Sequence, residues 1–353
     1  MKKLLALTVI STLAMVGCGG SDDATTTSEP AAYTIFAVNE GERIKVAYVT
    51  NGIDPFWTIA EAGAIAGAKE FDVDVEVLMP PKGLPDQKRM METLMANGIH
   101  GIAVSPIDAA NQASFISDAA TRTNIITQDS DAPESDRLCF IGMNNYNAGR
   151  QAGQLVKKAL PDGGKVMIFV GRLEQLNAQQ RRQGVIDELL DRPVINQEDM
   201  VVEQNTEAIV GGRFTILGTL TDNFVYDRAK ANAEESMVTY PDLDAMIGLF
   251  AYNIPLCIEA VKGANKLGTI KLISFDESDP TLQGIVDGYV QGTISQQPYE
   301  YGRHSVRVLA ALARGDNSVI PENRFIDIDT TVVEKENVEA FWAEKNKLLA
   351  GGK

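Results

Sequence analysis

The chain has 353 residues and a formal net charge of −16, with 44% hydrophobic and 23% charged residues. This composition is typical of an ordinary globular protein. The acidic balance argues against nucleic acid as a partner and against a broad cationic face that binds membranes. The sequence holds only three Cys and two His residues, and they do not cluster. We therefore expect no metal site and no cofactor.

The first 18 residues have the features of a lipoprotein signal peptide. Two lysines precede an apolar run at 4–16, which is too short to span a membrane. The run ends in small residues at Cys18, as in a lipobox, where the cysteine thiol is acylated. The alternative is an ordinary signal peptide cleaved nearby, with Cys18 incidental. Residues 19–42 begin as a small, polar and acidic stretch and are predicted to form a flexible tether.

From residue 43 onward, β-rich runs alternate with helical patterns. The predicted strands are 43–51, 73–79, 100–106, 124–129, 138–142, 165–171, 214–218, 245–251, 270–276 and 289–297. The predicted helices are 55–71, 85–97, 109–121, 148–160, 178–190, 228–239 and 255–267. Repeated β–α units with continuous apolar strands indicate parallel sheets covered by helices on both faces. The roughly 310 residues involved are enough for two such α/β domains.

Polar residues follow the predicted strands where ligands of open parallel sheets bind, at the carboxyl ends. They are Asp54, Asp129, Asn253, Asp276 and Gln296. For Asp129 and Asp276, a polar turn after a strand is the alternative interpretation. For Asp54, the alternative is a helix N-cap, since a proline follows it at the first helical position.

A helix cap does not explain why two aromatic residues, Phe56 and Trp57, follow Asp54 directly. Aromatic faces pack against the C–H faces of sugar rings. Neighbouring carboxylates accept strong paired hydrogen bonds from vicinal hydroxyls. Arg181 and Arg182 lie near a predicted helix start, where the helix dipole disfavours cations. They are interpreted either as solvated surface residues or as donors of a guanidinium fork to ligand oxygens.

Seven segments, in order and at suitable spacing over nearly the whole body of the chain, resemble the ribose-type periplasmic sugar-binding proteins. This family shares its fold with the ligand domains of LacI-type repressors. The segments are VAYVTNGIDPFW at 46–57, IITQD at 125–129, IGMNNYNAGRQAG at 141–153, QQRRQG at 179–184, LFAYN at 249–253, ISFD at 273–276 and GTISQQP at 292–298.

The resemblance implies a binding site as well as a fold. Phe56 and Trp57 match the family's ring-stacking pair, and Arg181 rather than Arg182 matches its ligand arginine. A further aromatic residue before an Asp-Arg pair should cover the other ring face. Tyr226 fits that position by the pair that follows it, and Phe224 fits if a gap is moved. The other matched positions are Asp54, Asp129, Asn253, Asp276 and Gln296, with Asn177 at a polar contact of related hexose binders.

Two departures from the family pattern bear on the ligand. Ser130 stands where ribose binders commonly have an arginine, and Asp54 stands where they often have an asparagine. Both put ribose itself in doubt. The stretch 192–212 is longer than the usual connection. It is interpreted as a surface insertion with an extra strand or as a contact for the transporter.

The implied fold is the type I periplasmic binding protein, with two doubly wound, Rossmann-like lobes joined by a hinge of three crossings. The first lobe is expected at 43–144 plus 298–323, and the second at 145–297 plus 324–353. The implied function is an extracytoplasmic receptor, located in the periplasm or at the cell surface. It captures a monosaccharide or polyol for an ABC transporter permease, acts as a monomer and touches the membrane only through its lipid anchor.

Other classes of function were weighed against this one. A sensory protein that presents a sugar or furanosyl signal to a chemoreceptor or kinase is the main alternative. A transcriptional regulator is disfavoured because a signal peptide and tether stand in place of a DNA-binding domain. A sugar hydrolase using Asp54, Asp129 or Asp276 is disfavoured because no activated nucleophile is visible. Cys139 and Cys257 are expected to be buried and unbridged, since they fall in different domains.

Overall fold

The computed structural model describes residues 33–351. The predicted signal peptide, Cys18 and most of the predicted tether lie outside these residues. In chain order the strands are β1 (Lys45–Val49), β2 (Asp74–Leu78), β3 (Gly101–Val104), β4 (Asn124–Gln128), β5 (Phe140–Gly142), β6 (Gly164–Val170), β7 (Ile209–Gly211), β8 (Phe214–Thr221), β9 (Ala245–Gly248), β10 (Lys271–Phe275), β11 (Val290–Ser295), β12 (Phe325–Asp327) and β13 (Thr331–Val333). The helices are α1 (Pro55–Glu70), α2 (Leu84–Ala96), α3 (Ala109–Ala120), α4 (Asn145–Ala159), α5 (Leu176–Leu189), α6 (Tyr226–Thr239), α7 (Asn253–Gly263), α8 (Asp279–Asp287), α9 (Pro298–Ala313) and α10 (Val338–Gly351), with a short 3-10 helix at Gln197–Asp199.

The strands form two sheets, one in each lobe. The first has the order β12-β5-β4-β3-β1-β2 and is entirely parallel. The second has the order β13-β11-β10-β9-β6-β8-β7, and only its edge strands β13 and β7 run antiparallel to their neighbours. Central strands such as β3 and β9 are buried along their whole length, because helices cover both faces of each sheet. The predicted pair of α/β lobes is confirmed.

In both sheets the strand order reverses next to the first strand of the lobe, between β1 and β3 and between β6 and β9. Loops on either side of such a reversal point away from each other and leave a crevice at the carboxyl ends of the strands. The two crevices are brought together across the hinge, and this places the loops after the strands of both lobes around one space.

The chain crosses between the lobes at 143–144, 296–297 and 328–330. The third crossing corrects the boundary expected after residue 323. β12 pairs in parallel with β5, with Phe325 opposite Phe140, and so it adds a sixth strand to the first lobe. The correction has a simple cause, because β12 supplies backbone partners to what would otherwise be an unpaired sheet edge.

The predicted tether at 19–42 is wrong for its last part. Three apolar side chains within 33–38 pack against the core of the first lobe. Phe36 N donates to Asn124 Oδ1 at 2.9 Å, and Asn124 Nδ2 donates back to Phe36 O at 2.8 Å. Segment 33–38 is therefore part of the folded first lobe, held by both apolar contact and a buried amide.

Close helix packing fixes the framework of the second lobe. Helices α4 and α5 pack against each other, and a Cβ atom added at Gly149 would overlap the carbonyl oxygen of Arg181. A Cβ at Gly184 would likewise overlap the carbonyl oxygen of Tyr146. Without side chains at these two positions the helix backbones touch, so the position of Arg181 along α5 is set by backbone contact with α4.

The insertion 192–212 contains an extra strand, which was one of the two interpretations of its sequence. Strand β7 pairs antiparallel with β8 at the edge of the second sheet. Arg182, only 2% exposed, donates from Nε to Thr219 Oγ1 at 2.7 Å and from its two Nη atoms to the carbonyl oxygens of Glu203 and Asn205. This arginine ties the insertion to the sheet, and a role of the insertion in contacting a transporter stays a prediction.

Over residues 33–351 no helix is long and apolar enough to cross a membrane. Cys139 and Cys257 are buried and free, as expected. The same residues contain no group of three or more potential metal ligands.

Candidate functional site

A cavity of about 250 Å³ lies between the two lobes. This is below the range of about 300–1,000 Å³ that is usual for drug-sized ligands, so the space suits a small molecule. The lining residues come from helices α1 and α5 and from the loops after β1, β2, β4, β6, β8, β9, β10 and β11. They are Asn51, Gly52, Ile53, Asp54, Phe56, Trp57, Pro80, Pro81, Gly83, Asp129, Arg172, Gln175, Asn177, Arg181, Phe224, Phe250, Ala251, Tyr252, Asp276 and Gln296.

Asp129 forms the floor of the cavity on the side of the first lobe. Its Oδ2 accepts from Ser105 Oγ at 2.9 Å and, at 3.4 Å each, from the side-chain amides of Asn51 and Asn177. Its Oδ1 lies 3.8 Å from Arg181 Nη2, too far for a direct hydrogen bond. One carboxylate oxygen is thus held by the protein, and the other is available to a ligand.

Arg181 is the central cation of the site and is only 1% exposed. Its Nε donates to Asn145 Oδ1 at 2.9 Å, one Nη to Leu249 O at 3.0 Å and the other to Gln296 Oε1 at 2.5 Å. The guanidinium carbon also lies 5.1 Å from the ring centroid of Phe275, within cation–π range. These contacts fix the plane of the fork before any ligand arrives.

Asp276 faces the cavity from the second lobe. Its Oδ1 accepts from Gln296 Nε2 at 2.6 Å, so Gln296 bridges Asp276 and Arg181. Among the described residues, no side chain donates to Asp276 Oδ2. Gln296 therefore orients both charged groups, and the free oxygen of Asp276 is an acceptor for a ligand hydroxyl.

Two buried acceptors in the cavity have no hydrogen-bond partner within residues 33–351: Gln175 Oε1 and Asn177 Oδ1. A buried polar atom left unpaired costs about 1–3 kcal/mol. Both residues line the cavity, where the hydroxyls of a bound molecule can donate to them. The site therefore offers an excess of acceptors, which matches a ligand rich in O–H donors.

Aromatic rings from both lobes complete the walls. Phe56 and Trp57 make an edge-to-face pair with centroids 4.8 Å apart, and both belong to the apolar core of the first lobe. On the second lobe, Phe224 stacks on Phe250 at 5.6 Å and 11°. The two predicted aromatic residues of the first lobe thus serve as core and as cavity wall together.

Asp54 caps helix α1, as one interpretation of the sequence predicted, and it also lines the cavity. Its Oδ1 accepts from Phe56 N at 2.9 Å and caps α1, while its Oδ2 accepts from Tyr226 Oη of the other lobe at 3.0 Å. The second contact corrects the expected role of Tyr226, which does not line this cavity. The aromatic residue that does so is Phe224, because α6 begins at Tyr226 and turns its ring outward onto Tyr252, at a centroid distance of 5.0 Å.

Asn253 is a second correction. It is the first residue of α7, and its side chain does not line the cavity. Its Oδ1 accepts from Phe250 N at 3.0 Å and its Nδ2 donates to Asp222 Oδ2 at 3.1 Å. Asn253 therefore shapes the loop that carries Phe250 and stands behind the site.

Eleven residues that line the cavity were not predicted from the sequence. Five of these have polar or aromatic side chains: Asn51, Arg172, Gln175, Phe250 and Tyr252. Asn51 carried a usable signal, since it follows β1 as Asp129 follows β4. The others lie in loops of the second lobe whose polar and aromatic residues have no distinctive spacing, so only the fold brings them to the cavity.

Burial governs the ionisation of the site. Removal from water raises the pKa of Asp129 and of Asp54, and that of Asp276 goes well above its usual range. The positive charge of Arg181 opposes this rise for Asp129 and Asp276. The carboxylates thus lie in a dry environment next to one fixed cation, where hydrogen bonds to charged groups are strong.

Comparison with known proteins agrees with this geometry. The model of the periplasmic binding protein domain matches residues 44–317. The xylose/arabinose-binding protein XylF of Sulfolobus acidocaldarius is 27% identical over 269 residues, which is 71% of this chain and 60% of that protein. The ribose import binding protein RbsB of Escherichia coli is 22% identical over 300 residues, or 83% of this chain and 93% of that protein.

A similar solved structure is an ABC transporter solute-binding protein from Burkholderia graminis, in complex with D-arabinose. It is 25% identical, with a TM-score of 0.75 over 85% of this chain and 98% of that one. The arabinose-binding protein AraP of Geobacillus stearothermophilus is 26% identical, with a TM-score of 0.67 over 85% and 99%. The predicted two-lobed fold is confirmed, and this chain belongs to the periplasmic binding protein family.

Proposed function

We propose that this protein is an extracytoplasmic receptor that captures a monosaccharide or polyol in the interlobe cavity and delivers it to the permease of an ABC importer. It works as a monomer, held at a membrane by lipid on Cys18. It is not an enzyme, and its carboxylates bind hydroxyl groups rather than transfer protons.

The observation that carries the proposal is the composition of the cavity. The buried carboxylates of Asp129 and Asp276, the half-buried Asp54 and two unpaired amide oxygens face a space lined by aromatic rings from both lobes. Small polyhydroxylated molecules complement both features, since their hydroxyls donate to the acceptors and their C–H faces cover the rings. Relatives described as binding ribose, xylose or arabinose support the same class of ligand.

The test is a thermal-shift panel on the purified protein, stripped of bound ligand by partial unfolding and refolding. We expect one or a few pentoses, hexoses or polyols to raise the midpoint. A ligand at a hundredfold its dissociation constant adds about 2.7 kcal/mol to the free energy of unfolding. If no sugar or polyol raises the unfolding midpoint while amino acids, nucleosides or peptides do, the sugar assignment is wrong.

A further inference from the structure

A second cavity, of about 740 Å³, adjoins the one just described. The two cavities share part of their lining: Ile53, Asp54, Phe56, Ala251, Tyr252 and Asp276. The larger cavity therefore begins where the sugar cavity ends, and a molecule in one has neighbours that also line the other.

The second cavity differs from the first in chemistry. Its walls are mainly apolar, with Pro55 and Ile59 from α1, Met79 after β2, Pro255 from α7 and Leu349 from α10. A contiguous apolar surface of this kind accepts hydrocarbon rather than hydroxyl groups.

Charged groups of this cavity at Glu277, Asp279 and Lys345 are already paired. Lys345 Nζ donates to Glu277 O at 2.8 Å and to Asp279 Oδ1 at 2.6 Å. Ser295 Oγ donates to Glu277 Oε2 at 2.9 Å. A ligand group that enters here meets mainly apolar walls and charged groups that already have partners.

The boundary between the cavities includes the hydrogen bond from Tyr226 Oη to Asp54 Oδ2. Tyr226 is 44% exposed and Ile53 is 66% exposed, so the boundary between the two cavities lies near the protein surface. A substituent on a ligand in the first cavity can therefore leave it beside Asp54 and reach the second cavity.

We infer that the preferred ligand is a sugar carrying an apolar substituent, an alkyl or aryl glycoside. The sugar ring occupies the first cavity, and the substituent passes Asp54 and Tyr226 into the second. This inference rests on the proposed function of the first cavity as a sugar site. Each methylene buried in the second cavity should tighten binding about fourfold.

Isothermal titration of the purified protein tests the inference. The probes are the free sugars D-ribose, D-arabinose, D-xylose, D-glucose and D-galactose, with the methyl, hexyl and phenyl glycosides of each. For the sugar that binds, we expect the hexyl or phenyl glycoside to bind at least tenfold tighter than the methyl glycoside. Equal or weaker binding of the larger glycosides would overturn the inference and leave the sugar receptor intact.

Leu349→Asp and Leu348→Asp form a matched pair on α10, since both leucines are partly buried but only Leu349 lines the second cavity. Leu349→Asp should remove the gain of the hexyl and phenyl glycosides and leave free-sugar affinity unchanged, while Leu348→Asp keeps the gain. Should Leu349→Asp fail to fold, Thr58→Trp fills the same cavity from the exposed side of α1. If the hexyl and phenyl glycosides still bind more tightly than the methyl glycoside when the cavity is filled, the inference is contradicted. If neither free sugars nor glycosides bind, the proposed function itself is overturned.

Discussion

Two buried aspartates occupy equivalent positions in the two lobes. Asp129 directly follows β4 and Asp276 directly follows β10, the corresponding strand of the second sheet. Both have left-handed backbones, with φ of 60° and 67°, a conformation that costs a non-glycine residue of the order of 1 kcal/mol. Strain and buried charge thus coincide at the two residues that face the cavity from either side, which is characteristic of binding sites.

Replacing Asp276 by Asn separates binding from stability. The Asn side chain keeps an oxygen for Gln296, but an NH2 group replaces the oxygen that is free to accept hydrogen bonds from ligand hydroxyls. We expect ligand affinity to fall at least tenfold, about 1.4 kcal/mol. The free energy of unfolding should stay level or rise, because a buried carboxylate is removed. Titration and urea unfolding measure the two effects, with exposed Asp118→Asn as the control; unchanged affinity would remove Asp276 from the site.

The neighbouring Glu277 gives the protein a pH-dependent stability. Burial raises the pKa of this carboxyl from 4.5 to about 7. Because the folded form holds the proton more tightly than the unfolded chain, the contribution to stability is complete below pH 4.5 and is lost as the pH rises through about 7. Glu277→Gln should therefore be more stable than the unmodified protein at pH 8 and gain little at pH 4.5. Urea unfolding at both pH values measures this difference, with the exposed Glu322→Gln as the control. The prediction is wrong if the two variants show the same change in stability between the two pH values.

At the scale of elements, two adjacent arginines of helix α5 have different roles. Arg181 points into the cavity and Arg182 points toward the insertion, since successive residues of a helix project about 100° apart. Both arginines were predicted to lie near the start of a helix, but α5 begins at Leu176 and neither lies in its first turn. Their roles follow from direction and burial instead.

Lysine replacements distinguish these roles. Arg181→Lys loses the planar fork and should weaken ligand binding at least tenfold. Arg182→Lys should leave binding within about threefold but lower the free energy of unfolding by about 1–3 kcal/mol, since carbonyl oxygens at Glu203 and Asn205 lose their donor. Hydrogen exchange over 200–207 should accelerate only in Arg182→Lys. The same exchange pattern in both variants would refute the division of labour.

At the scale of the whole molecule, few polar contacts join the two lobes across the cavity. They are the Tyr226–Asp54 hydrogen bond at 3.0 Å, the Asn177–Asp129 hydrogen bond at 3.4 Å and the 3.8 Å approach of Arg181 to Asp129, beside the packing of α1 on α10. Two of the polar contacts are long, so a ligand that bridges the same groups adds attraction between the lobes. Such a ligand shifts the protein toward the closed state because it binds that state more tightly.

Small-angle scattering measures this shift. A closed body of this length has a radius of gyration of about 20 Å. We expect a larger value without ligand and a fall toward about 20 Å when the ligand found in the thermal-shift panel is added. Asp129→Asn should need more ligand for the same fall, since it weakens a group shared by both lobes. A radius of gyration that does not change at saturating ligand would rule out hinge closure as the response to binding.

The sequence alone predicted the two lobes and several of the residues that line the cavity. Apolar runs at the spacing of strands and helices determined two α/β lobes, because patterning and chain length leave few other ways to bury those residues. The polar residues after the strands predicted several side chains that line the cavity, since parallel strands present their carboxyl ends at one edge. Asp54, Asp129, Asp276 and Gln296 were predicted in this way.

The tertiary structure decided what local pattern could not express. Which of Phe224 and Tyr226 lines the cavity depends on where α6 begins, and helix starts are the least certain feature of a sequence. Whether Asn253 meets a ligand or braces a loop depends on the distant Asp222. The edge strand β12 joins the first lobe through pairing with β5. In each case the deciding contact joins segments far apart in the chain, and its energy exists only once the chain has folded.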